Sequence, residues 1–74
     1  MSQEEAIAMI ERLTPRQRQI FDLIVEGHTS REIGTRLGIK LSTVRTHRET
    51  IMFVLNARSA VQLTVLAARA GVLK

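Results

Sequence analysis

Apolar residues recur along this chain at intervals of three and four rather than in sustained alternation, and polar or glycine punctuation divides them into five segments. That is the period of helices, not strands. Ser2 followed by Glu5 has the form of a capping box and opens a leader helix to about Arg12, with Ala6, Ile7, Ile10 and Leu13 as its apolar positions. Thr14 as N-cap and Pro15 at the first helical position start a second helix; its Ile20, Leu23 and Ile24 share a face, and Gly27 stops it. Thr29 with Glu32 forms another capping box and opens a short third helix, with Ile33 and Leu37 inward and Gly38 at its end. A fourth helix is predicted from about Leu41 to Leu55. After the Asn56-Ala57-Arg58 stretch, a fifth runs from about Ser59 to Ala70 and stops at Gly71, with Leu63, Leu66, Ala67 and Ala70 as its core stripe. There is no internal repeat and no low-complexity segment. The expectation is an all-α chain: a leader helix or linker over 1–12, then a small four-helix domain over 13–74.

Residues 29 to 48 carry the most specific pattern. Two short helices meet at a tight turn, Leu37-Gly38-Ile39. Packing them at a steep angle requires a small residue inside the first, and Gly34 is there. The turn requires a residue that tolerates positive φ, and Gly38 is there. Ile33, Leu37, Ile39 and Val44 supply the apolar plugs. This is helix-turn-helix spacing, in which the second helix enters a major groove. At about 100° per residue, Val44, Ile51 and Leu55 fall on one inward line, while Ser42, Arg45, Thr46 and Glu49 face the other way. That outward face holds donors and acceptors suited to base edges.

Composition narrows the classes further. At 74 residues and 8.3 kDa the chain is one small domain, of a size that buries only about 60% of the surface its unfolded form exposes. With no cysteine, neither a disulfide nor a thiolate metal site can help it. A 45% hydrophobic content is too high for a disordered tail. No apolar run approaches the roughly 20 residues of a membrane span, and the acidic Met1-Ser2-Gln3-Glu4-Glu5 start is wrong for a signal peptide. These features point to a bacterial-type cytoplasm or nucleoid. Aromatics are 3%, without Tyr or Trp, which argues against single-strand binding by base stacking. The net charge of +4 is unevenly placed. Residues 1–27 hold five acids and three bases, whereas residues 28–74 hold two acids and eight bases. An anion-binding surface therefore belongs to the later two-thirds, where a solvated basic face is the plainer alternative.

Leu13-Thr14-Pro15-Arg16, Gly27 with Arg31-Glu32-Ile33, Leu37-Gly38-Ile39 and Thr43-Val44-Arg45-Thr46-His47 follow one another in order and distance as in the LuxR/FixJ/NarL effector domains. Through Ile51, Leu55 and the last helix, the chain resembles that GerE-like family over roughly residues 13 to 72. The resemblance implies a sequence-specific regulator of transcription. It would bind an inverted repeat in double-stranded DNA as a homodimer paired through its last helix, with RNA polymerase or a regulatory protein as a possible further partner. It also implies roles. Arg45, Thr46 and Glu49, with Ser42 beside them, match base-reading positions: Arg suits guanine, the Thr methyl suits thymine, and Glu suits the cytosine amino group. Thr43 matches a threonine near phosphate. Thr29, Ser30 and Lys40 are placed for backbone contacts, Arg48 is placed to snorkel to phosphate, and His47 is either packed or a phosphate donor.

The departures from the family pattern carry expectations of their own. Gln17 stands where Glu is usual, removing an ion pair. Lys40 stands where a capping Ser is usual, losing a cap worth about 1 kcal/mol but adding a cation at the groove. Phe53-Val54 stands where a basic pair is usual, and Phe53 projects opposite Val44. With Met52 or Val54 it is assigned to a protein contact, set beside the plainer reading of an isolated surface residue. Val61, Val65 and Ala68, with Val72 beyond, form a second stripe on the last helix. Since that helix already has a core face, this stripe is assigned to a dimer or partner interface. The Met1-Ser2-Gln3 start is read as that of a stand-alone regulator rather than an excised domain. His28 and His47, without cysteine, do not compose a metal site. No cofactor is expected, and no nucleophile, base and orienting acid are arranged for catalysis. Two rivals remain: a sigma-factor region-4-like module binding a promoter as a monomer, and a small antagonist that pairs with a larger regulator.

Overall fold

Serine or threonine hydroxyls start four of the five helices. In the computed structural model, which describes residues 1–73, α1 spans Gln3–Ile10, α2 Pro15–Val25, α3 Ser30–Leu37, α4 Leu41–Val54 and α5 Ala60–Ala70. Ser2, Thr14 and Thr29 each accept a hydrogen bond from the backbone N–H three residues on, and the side chain at that position returns the bond. Ser59 accepts from the Gln62 N–H. The fold is all-α, as the apolar period implies, with no strand among the described residues.

The leader helix ends two residues early. The N–H groups of Arg12 and Leu13 bond to the carbonyls of Met9 and Ile10, which tightens the chain into the turn that delivers Thr14. Gln17 closes the Thr14 capping box, so the amide that stands in place of an ion-pairing Glu completes the cap. At the other end of α4, Asn56 takes φ 52, and the Ala57 N–H reaches back to the Met52 carbonyl at 2.8 Å. This left-handed stop needs no glycine.

One core joins all five helices. Its largest fully buried side chains are Phe21, Ile20, Ile33, Ile51, Leu63 and Val44. All four residues of the α5 stripe, Leu63, Leu66, Ala67 and Ala70, are buried. Two expectations are corrected. Ile7 is 38% exposed, because α1 meets α5 along Ala6 and Ile10 and a residue about 100° away misses that face. Phe21, absent from the predicted core, is fully buried, while Leu23 is half-buried. The cause is that α2 is packed on by α3, α4 and α5 together, so its buried arc is wider than a single-neighbour stripe and is turned toward Phe21.

α1 lies against α5, and the Gln3 side-chain amide donates to the Ala70 carbonyl at 3.3 Å. α3 and α4 form a pair that packs on α2, which is how the helix-turn-helix is mounted on the rest.

Candidate nucleic-acid interface

The angle between α3 and α4 is set at two glycines. Gly34 is buried, and a Cβ there would lie 2.9 Å from the Ile39 carbonyl oxygen and 3.5 Å from Val44 Cγ2. Gly38 turns the chain at φ 67, and the Ile39 N–H closes back on the Gly34 carbonyl at 3.0 Å. With Val44, Ile51 and Leu55 buried, α4 is fixed in rotation.

That rotation exposes Ser42, Thr43, Arg45, Thr46 and Glu49, and Lys40 just ahead of them. His47 and Arg48, at the flanks, are half-buried. Thr29 is exposed and Ser30 half-buried at the start of α3. The Thr46 hydroxyl donates to the Ser42 carbonyl at 3.1 Å, so Thr46 offers a base its oxygen as acceptor and its methyl. Among the described residues Arg18 and Asp22 form an ion pair at 2.9 Å, and His28 Nε2 lies 3.8 Å from a Glu26 carboxylate oxygen. Among the described residues Lys40, Arg45 and Arg48 thus hold no acidic partner, and Arg45 and Glu49 stay apart despite their i, i+4 spacing. Lys40, as N-cap, makes no side-chain cap, which leaves the first N–H groups of α4 open beside a cation.

Two shallow hollows flank this face. One is lined by Arg45, Arg48, Glu49 and Met52; the other, between α3 and the turn, by Arg31, Thr35, Ile39 and Lys40 among others. Arg31 and Thr35 are not among the DNA-contact candidates of the sequence, and Met52 is named there only beside Phe53 for a protein contact. The hollow at Arg31 and Thr35 is formed by α3, the turn and the start of α4 jointly, and the signals for Arg31 are its cationic place in the first turn of α3 and its position in the family motif.

Glu32 accepts from the Thr29 N–H at 2.8 Å. That bond, and then the Thr29 hydroxyl, hold its carboxyl below the ordinary range. Glu5 is lowered the same way by Ser2. On α5, Val61 is 70% exposed, and Val65 and Ala68 share its outward face; Val72, past the left-handed Gly71 that ends the helix, is exposed as well. Phe53 is exposed on α4. Among the described residues no three His, Cys, Asp or Glu side chains are grouped to hold a metal ion, and no helix is long and apolar enough to cross a membrane.

Residues 11–67 match the family described as bacterial regulatory proteins, luxR family (GerE). The chain belongs to the luxR family. It is 37% identical over 62 residues to the spore germination protein GerE of Bacillus subtilis, covering 84% of each chain. It is 42% identical over 59 residues to the transcriptional regulatory protein LiaR of the same species, covering 80% of this chain and 28% of that one. The crystal structure of full-length FixJ from B. japonicum superposes with a TM-score of 0.89 at 29% identity, over 97% of this chain and 36% of that one. The chain spans 42% of YgeK from Escherichia coli and 28% of LiaR, so it corresponds to one part of such relatives. This luxR-family chain is a helix-turn-helix DNA-binding regulatory domain, and the family's members are regulators, not enzymes.

Proposed function

We propose that this luxR-family domain binds an inverted-repeat operator in duplex DNA as a homodimer and so regulates transcription. The observation that carries the reading is the exposed face of α4, Ser42, Arg45, Thr46 and Glu49, turned outward by a fully buried Val44. In this reading α4 lies in the major groove. Arg45 takes a guanine, Thr46 a thymine methyl and Glu49 a cytosine amino group, with Ser42 beside them. Lys40, Thr43 and Arg48 hold phosphates, with Thr29, Ser30 and His47 at the margins. The outward α5 face of Val61, Val65 and Ala68 pairs with its copy about a two-fold axis, which sets the half-site spacing.

Selection from a random duplex pool, followed by titration of the winner against salt, tests this. The expected result is an inverted repeat whose affinity falls steeply as salt rises. A single half-site would replace the dimer with a monomeric, sigma-like module. No enrichment would replace operator binding with pairing to a larger regulator, a reading supported by the same exposed valines. Arg45→Ala should cost about 1–3 kcal/mol on the selected site and relax one base pair. Lys40→Ala should weaken all sequences alike and reduce the salt slope. Equal losses on specific and random DNA for Arg45→Ala would remove its base-reading role.

A further inference from the structure

Phe53 is 86% exposed, more than any other large apolar side chain of the described residues. It stands seven residues after Thr46 and four after Glu49. At about 100° per residue this places it on the line of Ser42, Thr46 and Glu49, directly opposite Val44. Its neighbours on that face of α4, Glu49 and Thr50 one turn before, are polar and exposed, and so is Asn56 past the end of the helix. Met52 and Val54, beside it in sequence, are half-buried against the core. Among the described residues, Phe53 is thus the one exposed large apolar side chain of α4.

That setting separates two kinds of partner. A protein interface is built around a contiguous apolar centre, as the Val61 and Val65 face of α5 is. A single phenyl ring in line with hydroxyls and a carboxylate instead matches the major-groove edge of a duplex, where the thymine 5-methyl is the apolar feature among hydrogen-bonding groups. Reach agrees. At a rise of about 1.5 Å per residue, Phe53 lies about 6 Å beyond Glu49 along the axis. A straight helix diverges there from a curving groove, and a longer side chain spans the gap that serine or threonine would leave.

We infer that Phe53 is a specificity residue, packing on the 5-methyl of a thymine at the end of the half-site toward which the C-terminus of α4 runs. The inference rests on the docking of α4 proposed above and extends its reading face by one turn. It also gives a position without a basic side chain a sequence-dependent role in place of a salt-dependent one.

The test compares wild type with Phe53→Ala on the selected operator and on versions in which uracil replaces thymine one position at a time, deleting only the methyl. Wild type should lose about fourfold at one outer position of each half-site, the worth of one buried methyl-sized group. Phe53→Ala should be indifferent there while keeping the inner preferences of Arg45, Thr46 and Glu49. Phe53→Lys should bind all sequences more tightly, with a steeper salt slope and no outer thymine preference. If wild type selects an operator yet ignores the outer methyl, or Phe53→Ala loses as much there as wild type, the inference is overturned and operator binding stands. If wild type selects no sequence, both fall. If Phe53→Ala keeps the outer preference but lowers the solution mass, the ring belongs to a protein contact. An unchanged melting temperature for Phe53→Ala establishes that the fold is intact.

Discussion

A methyl group added at Gly34 would sit 2.9 Å from the Ile39 carbonyl oxygen, and that atom is backbone in the turn itself. Alanine is intrinsically the better helix residue by about 1 kcal/mol, but overpacking here costs about 1–3 kcal/mol, and the backbone has little freedom to yield. Gly34→Ala should therefore lower the melting temperature, and a melt equal to or above wild type would show that the turn is looser than its geometry. A second residue-scale effect concerns acid. The Glu32 carboxyl is held low by the Thr29 N–H and hydroxyl. A carboxylate with a depressed folded pKa contributes stability that is present above its unfolded pKa and lost as pH falls through the folded one. Glu32→Gln should keep the cap, as Gln17 keeps the one at Thr14. Thermal melts from neutral pH down through the carboxylate range should then show a smaller loss than wild type; an unchanged slope would assign the acid sensitivity elsewhere.

At the scale of elements, α1 lies wholly before the segment that matches the family, yet Ala6 and Ile10 are part of the common core. Ile10→Ala should cost about 2–5 kcal/mol, read as a shift of the denaturant midpoint at constant slope; a negligible shift would mean that α1 is not coupled to the rest in solution. Helix starts were legible because a capping box is a local device: Ser2 with Glu5 and Thr29 with Glu32 need only three residues of spacing. The α5 core stripe was legible for a similar reason, since its four inward residues repeat at helical period. Phe21 and Ile7 were not. Which neighbouring arc is covered depends on how many helices lie across it, and that is decided by residues far away in sequence. The reading face of α4 was legible through its phase relative to Val44. The hollow joining Arg31 and Thr35 to Lys40 was not, because no single helix contains it.

For the whole molecule, dimerisation and DNA binding are expected to be one property. Val61 is 70% exposed, so a charge there leaves the core untouched and acts only on a pairing partner. Val61→Glu with Val65→Glu should give a folded protein of monomer mass in sedimentation, with affinity for a two-half-site operator reduced by roughly 100-fold, the worth of a linked second contact. Retained affinity would place the dimer contact elsewhere. Finally, the hydrogen bond from Gln3 to the Ala70 carbonyl holds the first turn of α1 against the last turn of α5. With the start of α1 held on the end of α5, the point at which the backbone of these five helices is open is a matter of convenience. Closing residues 73 and 1 with a short flexible linker and reopening the chain between Ala57 and Arg58 should yield a circular permutant that keeps the helix-turn-helix unbroken and reads the same DNA.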